Sequence, residues 1–260
     1  MDQHDHTRRS SLAIYFAHSR RSPMVSCLMP ALIVAISLCW CIAPARATTL
    51  IFTTNPTVSV NGSLIPLDYG DNVTATTAVL SDTKTYNYLQ GTGFTPNITA
   101  DYQIWNALGN SGSHPLNPNL TFYDSSGDLP YAVYSTQSGT TVAEIDLIPA
   151  AGYSVTLNSF DLVGFNSTVQ NNQPIRIYDA AYGLLTDFGG LQSISSSTHN
   201  HFAPAITSSG TLRIQYGNNF NLGINNVDFN QAVPEPSTIT LFVLGAIGVW
   251  FAGRRRRVNG

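Results

Sequence analysis

Between Thr48 and Gln231 no stretch of the chain repeats apolar residues every three or four positions, so no amphipathic helix of useful length can form there. Short runs rich in Val, Ile, Thr, Tyr and Phe stand in its place, broken by Gly, Asn, Asp and Ser. Leu212, Ile214 and Tyr216 alternate with Arg213 and Gln215, the pattern of a half-buried strand. Ile175 and Ile177 alternate with Arg176 and Tyr178, and Val142, Ile145 and Leu147 form another apolar set. Apolar residues take odd positions in Tyr153–Leu157 and even ones in Phe160–Leu162, so a bulge or a change of face is expected near Asn158-Ser159. Turn signals such as Asn61-Gly62, Gly70-Asp71-Asn72 and Ser209-Gly210 separate the runs, and no internal repeat supports a propeller or solenoid. The expected fold is all-β: a two-sheet antiparallel sandwich of jelly-roll type, ending on a strand over Gly223–Phe229. Gln192–His201 and Asn110–Asn119 read as exposed loops.

Charge narrows the function classes. Residues 48 to 233 hold three basic side chains, Lys84, Arg176 and Arg213, against twelve acidic ones. A body so poor in cations lacks the basic footprint of a nucleic-acid binder, so no nucleic-acid partner is expected. All three cysteines, Cys27, Cys39 and Cys41, precede this body, which therefore has no disulfide, no thiolate nucleophile and no thiolate metal ligand. No nucleophile elbow, P-loop or dinucleotide fingerprint is present.

The two ends read as addresses. Arg20 and Arg21 flank an apolar run from Val25 to Ile42, and Ala45-Arg46-Ala47 supplies small residues for a signal peptidase cutting after Ala47. Residues 1–47 are thus expected to form a signal peptide with a helical apolar core, read by the general export machinery; an uncleaved anchor is the alternative. At the other end, Pro234-Glu235-Pro236 precedes fifteen mostly apolar residues, 238–252, and then Arg254, Arg255, Arg256 and Arg257. As a helix those fifteen span roughly 22 Å, shorter than a bilayer core of about 30 Å but enough to hold a chain in a locally thinned membrane. The four arginines stop transfer and stay cytoplasmic, which leaves the body outside. The prolines hold the chain extended ahead of the helix and expose one carboxylate there.

In these three parts and their order, residues 233–257 resemble the PEP-CTERM sorting signal. The resemblance implies that Pro234, Glu235 and Pro236 are read by an exosortase-type enzyme, which processes the protein for delivery to the cell surface or extracellular matrix. It also implies a bacterium that makes extracellular polysaccharide. A plain C-terminal membrane anchor is the alternative. The final strands resemble those of jelly-roll domains in such proteins, which are similar in outline to carbohydrate-binding modules. The domain plan is a signal peptide over 1–47, a β-sandwich over 48–232 and the sorting signal over 233–257.

Candidate chemistry within the body is sparse. Asp68, Asp71, Asn72 and Asp228 could join an early turn to the last strand through a calcium ion, a hard cation that takes oxygen ligands; the alternative is ordinary turn chemistry. His199 and His201, with His114, could hold zinc, or belong to a polar loop. Glu144 and Asp146 are the best pair for glycoside hydrolysis, or else a solvated strand face. Trp105, Tyr86, Tyr88, Tyr102, Tyr131 and Tyr134 could offer flat faces to sugars, though most such rings in a sandwich are core. Sequons at Asn61, Asn72, Asn97, Asn119 and Asn166 read as a by-product of Asn- and Thr-rich strands in a bacterial protein. The expectation is an exported, non-catalytic surface or matrix protein that binds polysaccharide. The alternatives are a secreted carbohydrate-active enzyme and a passive membrane-anchored structural protein.

Overall fold

Period-two patterning becomes strand throughout the body. The computed structural model describes residues 47–54, 61–88, 93–111, 120–124, 127–136, 141–165, 168–218, 221–232 and 245. Among them the strands are β1 (Thr48–Thr54), β2 (Thr77–Val79), β3 (Thr85–Asn87), β4 (Ile98–Trp105), β5 (Thr121–Tyr123), β6 (Ala132–Tyr134), β7 (Val142–Pro149) and β8 (Ser154–Gly164). They continue with β9 (Gln170–Gln173), β10 (Ile175–Tyr178), β11 (Leu184–Thr186), β12 (Gln192–Ile194), β13 (Asn200–Phe202), β14 (Ile206–Ser208), β15 (Leu212–Tyr216) and β16 (Leu222–Ala232). The region expected as a loop over Gln192–His201 thus contributes β12 and the start of β13. Ser195, Ser196 and Ser197 occupy the turn between these strands, Ser193 lies within β12, and Ile194 is fully buried. The expected signal helix, the helix over 238–252 and the motif residues lie outside the described residues. Among the described residues no helix is long and apolar enough to cross a membrane.

The pairings are antiparallel and build two main sheets. One runs β13-β8-β16-β1-β3-β2, with β14 also on β8 and the β5-β6 hairpin on β16. The other runs β11-β10-β15-β7-β4, and a small β12-β9 ribbon stands apart. Buried residues from both main sheets form one apolar cluster: Leu50, Phe52, Leu157, Phe160, Ile224 and Phe229 from the first, and Tyr102, Ile145, Ile177, Leu212 and Ile214 from the second. Across it Phe52 meets Tyr102 edge to face at 6.2 Å, and Tyr216 Oη donates to the Val133 carbonyl at 2.8 Å. The body is therefore an antiparallel sandwich held by its own core. Two buried tyrosines satisfy their hydroxyls on backbone, Tyr69 donating to the Ile51 carbonyl and Tyr102 to the Tyr69 carbonyl, each at 2.8 Å, while Tyr86 donates to Asp82 Oδ2 at 3.1 Å.

The expected irregularity in β8 is present. Asn225 pairs with Asp161, Asp228 with Ser159 and Phe229 with Leu157, so β16 carries one extra residue and then β8 carries one, Asn158. Asn226 takes a left-handed φ of 51° at the first of these bulges. The change of parity keeps Val155 and Leu157 in the core on one side of the bulge, and Phe160 and Leu162 on the other.

The ends of the body lie side by side. β1 begins at Thr48, which pairs with Phe229 three residues before β16 ends at Ala232. Entry and exit therefore share one end of the sheet on adjacent strands, which run about 4.8 Å apart.

Candidate functional site

The face of the five-stranded sheet opposite the core carries polar rungs. β7 sends Ala143, Ile145 and Leu147 into the core and Glu144 and Asp146 the other way. Gln103, Glu144, Gln215 and Arg176 stand in register across four strands, and so do Asp101, Asp146, Arg213 and Tyr178. The sequence reads Glu144 and Asp146 as either a hydrolytic pair or a solvated strand face; the structure corrects the solvated reading, because Glu144 is 0 % exposed and Asp146 2 %. The turn after β10 covers it. Asp179 Oδ1 accepts from the amides of Ala181 and Gly183, and Tyr182 is held at a φ of 62°. Tyr182 lies 4.4 Å from the Arg213 guanidinium through its ring and meets Trp105 edge to face at 5.6 Å.

Glu144 is filled with donors: Trp105 Nε1 at 2.9 Å and Tyr182 Oη at 3.1 Å on Oε1, and Gln215 Nε2 at 2.6 Å on Oε2. Gln215 also closes the 105–111 turn over the site by accepting from the Gly109 amide at 2.7 Å. Arg213 donates to Asp146 and lies 3.6 Å from Glu144. Burial, and then the neighbouring Glu144, push the Asp146 carboxyl up to about 8 against the pull of Arg213. Asp146 Oδ1 is buried without a donor, and a proton on it would supply one toward Glu144. Two acids and one cation thus form a closed network in which Glu144 and Asp146 Oδ2 face protein donors and Asp146 Oδ1 does not.

The four candidate calcium ligands do not converge. Asp68 accepts from the Ser81 hydroxyl and amide, and Asp71 from the Ala100 amide at 2.8 Å. Burial, opposed by the Ala100 bond and aided by Asp68 and Asp101, raises the Asp71 carboxyl. Asn72 sits at a φ of 48° and donates its amide to the Ile98 carbonyl. Asp228 is engaged on β16 by Thr49 Oγ1 at 3.1 Å and Asn158 Nδ2 at 2.6 Å. The turn meets β1 through Leu50: a Cβ on Gly70 would lie 2.9 Å from Leu50 Cδ2. Thr49 and Leu50 point to opposite faces of β1, which separates Asp228 from the turn. Among the described residues no group of three or more His, Cys, Asp or Glu is placed to hold a metal ion.

The histidines are more ordered than a loop reading implies. His201 lies in β13 opposite Asp161, with Nδ1 2.7 Å from Asp161 Oδ1. His199 precedes β13, with Nδ1 3.0 Å from Asp128 Oδ2 and its amide donating to Asp128 Oδ1 at 2.7 Å. His114 lies outside the described residues.

Of the aromatic candidates, Tyr86, Tyr88 and Tyr102 are core, and Trp105 is 8 % exposed beneath Tyr182. Tyr131 and Tyr134 are half-buried. Tyr134 joins two rings that the sequence reading passed over: Tyr123 meets Tyr134 at 5.6 Å and Phe165 at 4.9 Å, and Tyr134 stacks on Phe165 at 6.3 Å. These half-buried rings sit where β5, β6 and β8 end, beside exposed Asp124. Burial, with Tyr123 and Asp124 adding, raises the Tyr134 hydroxyl. The hairpin pairing of β5 with β6 brings Tyr123 near Tyr134, a long-range consequence no local pattern announces.

Beyond β16, a family model for the PEP-CTERM protein-sorting motif matches residues 232–257. The chain carries a PEP-CTERM sorting signal. The signal marks it for export, exosortase processing and sorting to the cell surface, and it starts where β16 ends, at Ala232. Search of curated proteins gives no match. Among solved structures, an isomalto-dextranase of Arthrobacter globiformis complexed with panose is 11 % identical over 72 % of this chain, with a TM-score of 0.29. A family 35 carbohydrate binding module from Clostridium thermocellum is 17 % identical over 50 % of this chain and 90 % of its own, with a TM-score of 0.23. TmCBM61, solved with β-1,4-galactotriose, is 12 % identical over 51 % of this chain and 88 % of its own, with a TM-score of 0.25. The PEP-CTERM chain spans 33 % of the dextranase's length, and similarity at these scores carries no argument about its ligand.

Proposed function

We propose that this is a non-catalytic surface or matrix protein whose sandwich binds extracellular polysaccharide. Signal peptidase cuts behind Ala47, the 238–252 helix holds the chain in the membrane with Arg254–Arg257 inside, and an exosortase-type enzyme reads Pro234, Glu235 and Pro236. The shared end of β1 and β16 supports this order of events, because both membrane-directed segments can then remain in one bilayer until each is processed.

The half-buried cluster of Tyr123, Tyr134 and Phe165 carries the binding claim. The C–H face of a sugar ring packs on such rings, and Asp124 beside them can accept hydrogen bonds from its hydroxyls. Burial of Glu144 and Asp146 under Tyr182 supports the non-catalytic reading, since acid catalysis needs a carboxyl within reach of the glycosidic oxygen.

Affinity electrophoresis through gels containing the host's exopolysaccharide tests the binding claim. Retardation of the wild-type protein is expected, with at least a tenfold weaker effect for Tyr123→Ala/Phe165→Ala. No retardation, or equal retardation of the variant, would remove the claim, and release of reducing ends would favour the enzyme. Deletion of Pro234–Pro236 should leave the protein in the inner membrane with its tail intact. Unchanged release of that variant refutes the sorting order.

A further inference from the structure

We propose that His199 and His201 form an open two-histidine site for a divalent transition-metal ion of the class imidazole favours, zinc, nickel or copper(II). The inference is independent of polysaccharide binding.

Spacing supplies the first observation. His199 directly precedes β13 and His201 is its second residue, a spacing of two that returns side chains to the same side of an extended chain, while Phe202 turns inward onto Phe160 at 5.4 Å. Both rings reach the surface, with side-chain exposures of 39 % for His199 and 58 % for His201.

The second observation is independent of spacing. Each Nδ1 faces a carboxylate oxygen, Asp128 for His199 and Asp161 for His201. An ionised carboxylate only accepts, so Nδ1 must carry the proton, and in the neutral ring the lone pair falls on Nε2. This carboxylate–histidine arrangement is the one that orients metal-binding imidazoles and raises their basicity.

The fold fixes both carboxylates. Asp161 is 5 % exposed, and its second oxygen accepts from Asn226 Nδ2 at 2.6 Å, which the β16 bulge aims at it. Asp128 is brought under His199 by Gly127: a Cβ there would lie 2.9 Å from the Ser196 carbonyl, and its φ is 59°. The 195–199 turn is tied in turn by the Ser195 amide donating to Asn200 Oδ1 at 2.9 Å and by Ser195 Oγ accepting from the Ser197 amide. With two protein donors the remaining coordination positions stay open to solvent or to an external ligand.

The test is calorimetric titration of the full-length chain, stripped with chelator, with zinc, nickel and copper(II) ions in turn. His199→Ala/His201→Ala is titrated in parallel, so that binding by His4, His6, His18, His114 and the leader cysteines cancels in the comparison. One equivalent fewer is expected for the double variant, and at least tenfold weaker binding at that site for either single variant. Asp161 acts as a positioning residue: Asp161→Asn should weaken binding about tenfold, and the ¹⁵N shifts of the His201 ring should lose the Nδ1-protonated signature while the melting temperature of His201→Ala stays at the wild-type value. Equal stoichiometry and affinity in wild type and double variant for all three ions would overturn the proposal. So would a single variant that binds as tightly as wild type.

Discussion

Two carboxylate clusters on opposite sheets solve the same electrostatic problem differently. On the five-stranded sheet, Glu144 and Asp146 are sealed beneath Tyr182, and their donors come from Trp105, Gln215, Tyr182 and Arg213. On the nine-stranded sheet's side, Asp161 of β8 and Asp128 of the β5–β6 connection hold imidazole rings at the surface. A closed cluster commits its polar groups to the fold, and losing one member strands a charge in a poor solvent. An open one leaves a ring nitrogen directed away from its carboxylate, and losing the ring returns a carboxylate to water. Stability should therefore reside in the first cluster, and capacity to bind in the second.

Arg213→Met should give the largest effect, a loss of roughly 3 kcal/mol or more in chemical denaturation, because two buried acids lose their cation. A loss below about 1 kcal/mol would break the contrast. The pH dependence comes next. Folded Asp146 keeps its proton to about 8, whereas the unfolded chain releases it near 3.8, so the folded state binds more protons between these values. Stability should then fall as pH rises from about 4 to about 8, by at least about 1 kcal/mol, and Asp146→Asn should flatten that slope. The raised Asp71 carboxyl acts in the same direction and leaves a residual slope in the variant. Tyr182→Phe removes one hydroxyl donor from Glu144 and should cost about 1 kcal/mol. His201→Ala should cost less than about 0.5 kcal/mol, which a thermal melt resolves from the others.

Much of the sandwich is legible because strand patterning is local. The alternation in Leu212–Tyr216 and the change of parity between Leu157 and Phe160 specify which side chains face the core, and both hold in β15 and β8. The sites are less legible because they depend on which strands become neighbours. Glu144 and Asp146 read as a surface pair until β15 brings Arg213 and Gln215 beside them and the Asp179 turn closes over. A sharper signal was present: Arg213 is one of only three cations in the body and lies on the polar side of an alternating strand. The carboxylates behind His199 and His201 come from 71 and 40 residues away, distances that no local pattern spans. The PEP-CTERM signal is the opposite case, since its motif, apolar run and arginines are contiguous.

The central claim is that a strand-built body is exported and then released through its C-terminal signal. The intact mass of the protein recovered from the surface of its native host tests this most directly. The account predicts a chain that begins at Thr48 and lacks Arg254–Arg257. Recovery of the whole 260-residue chain from the cytosol, with its leader uncut, would contradict it.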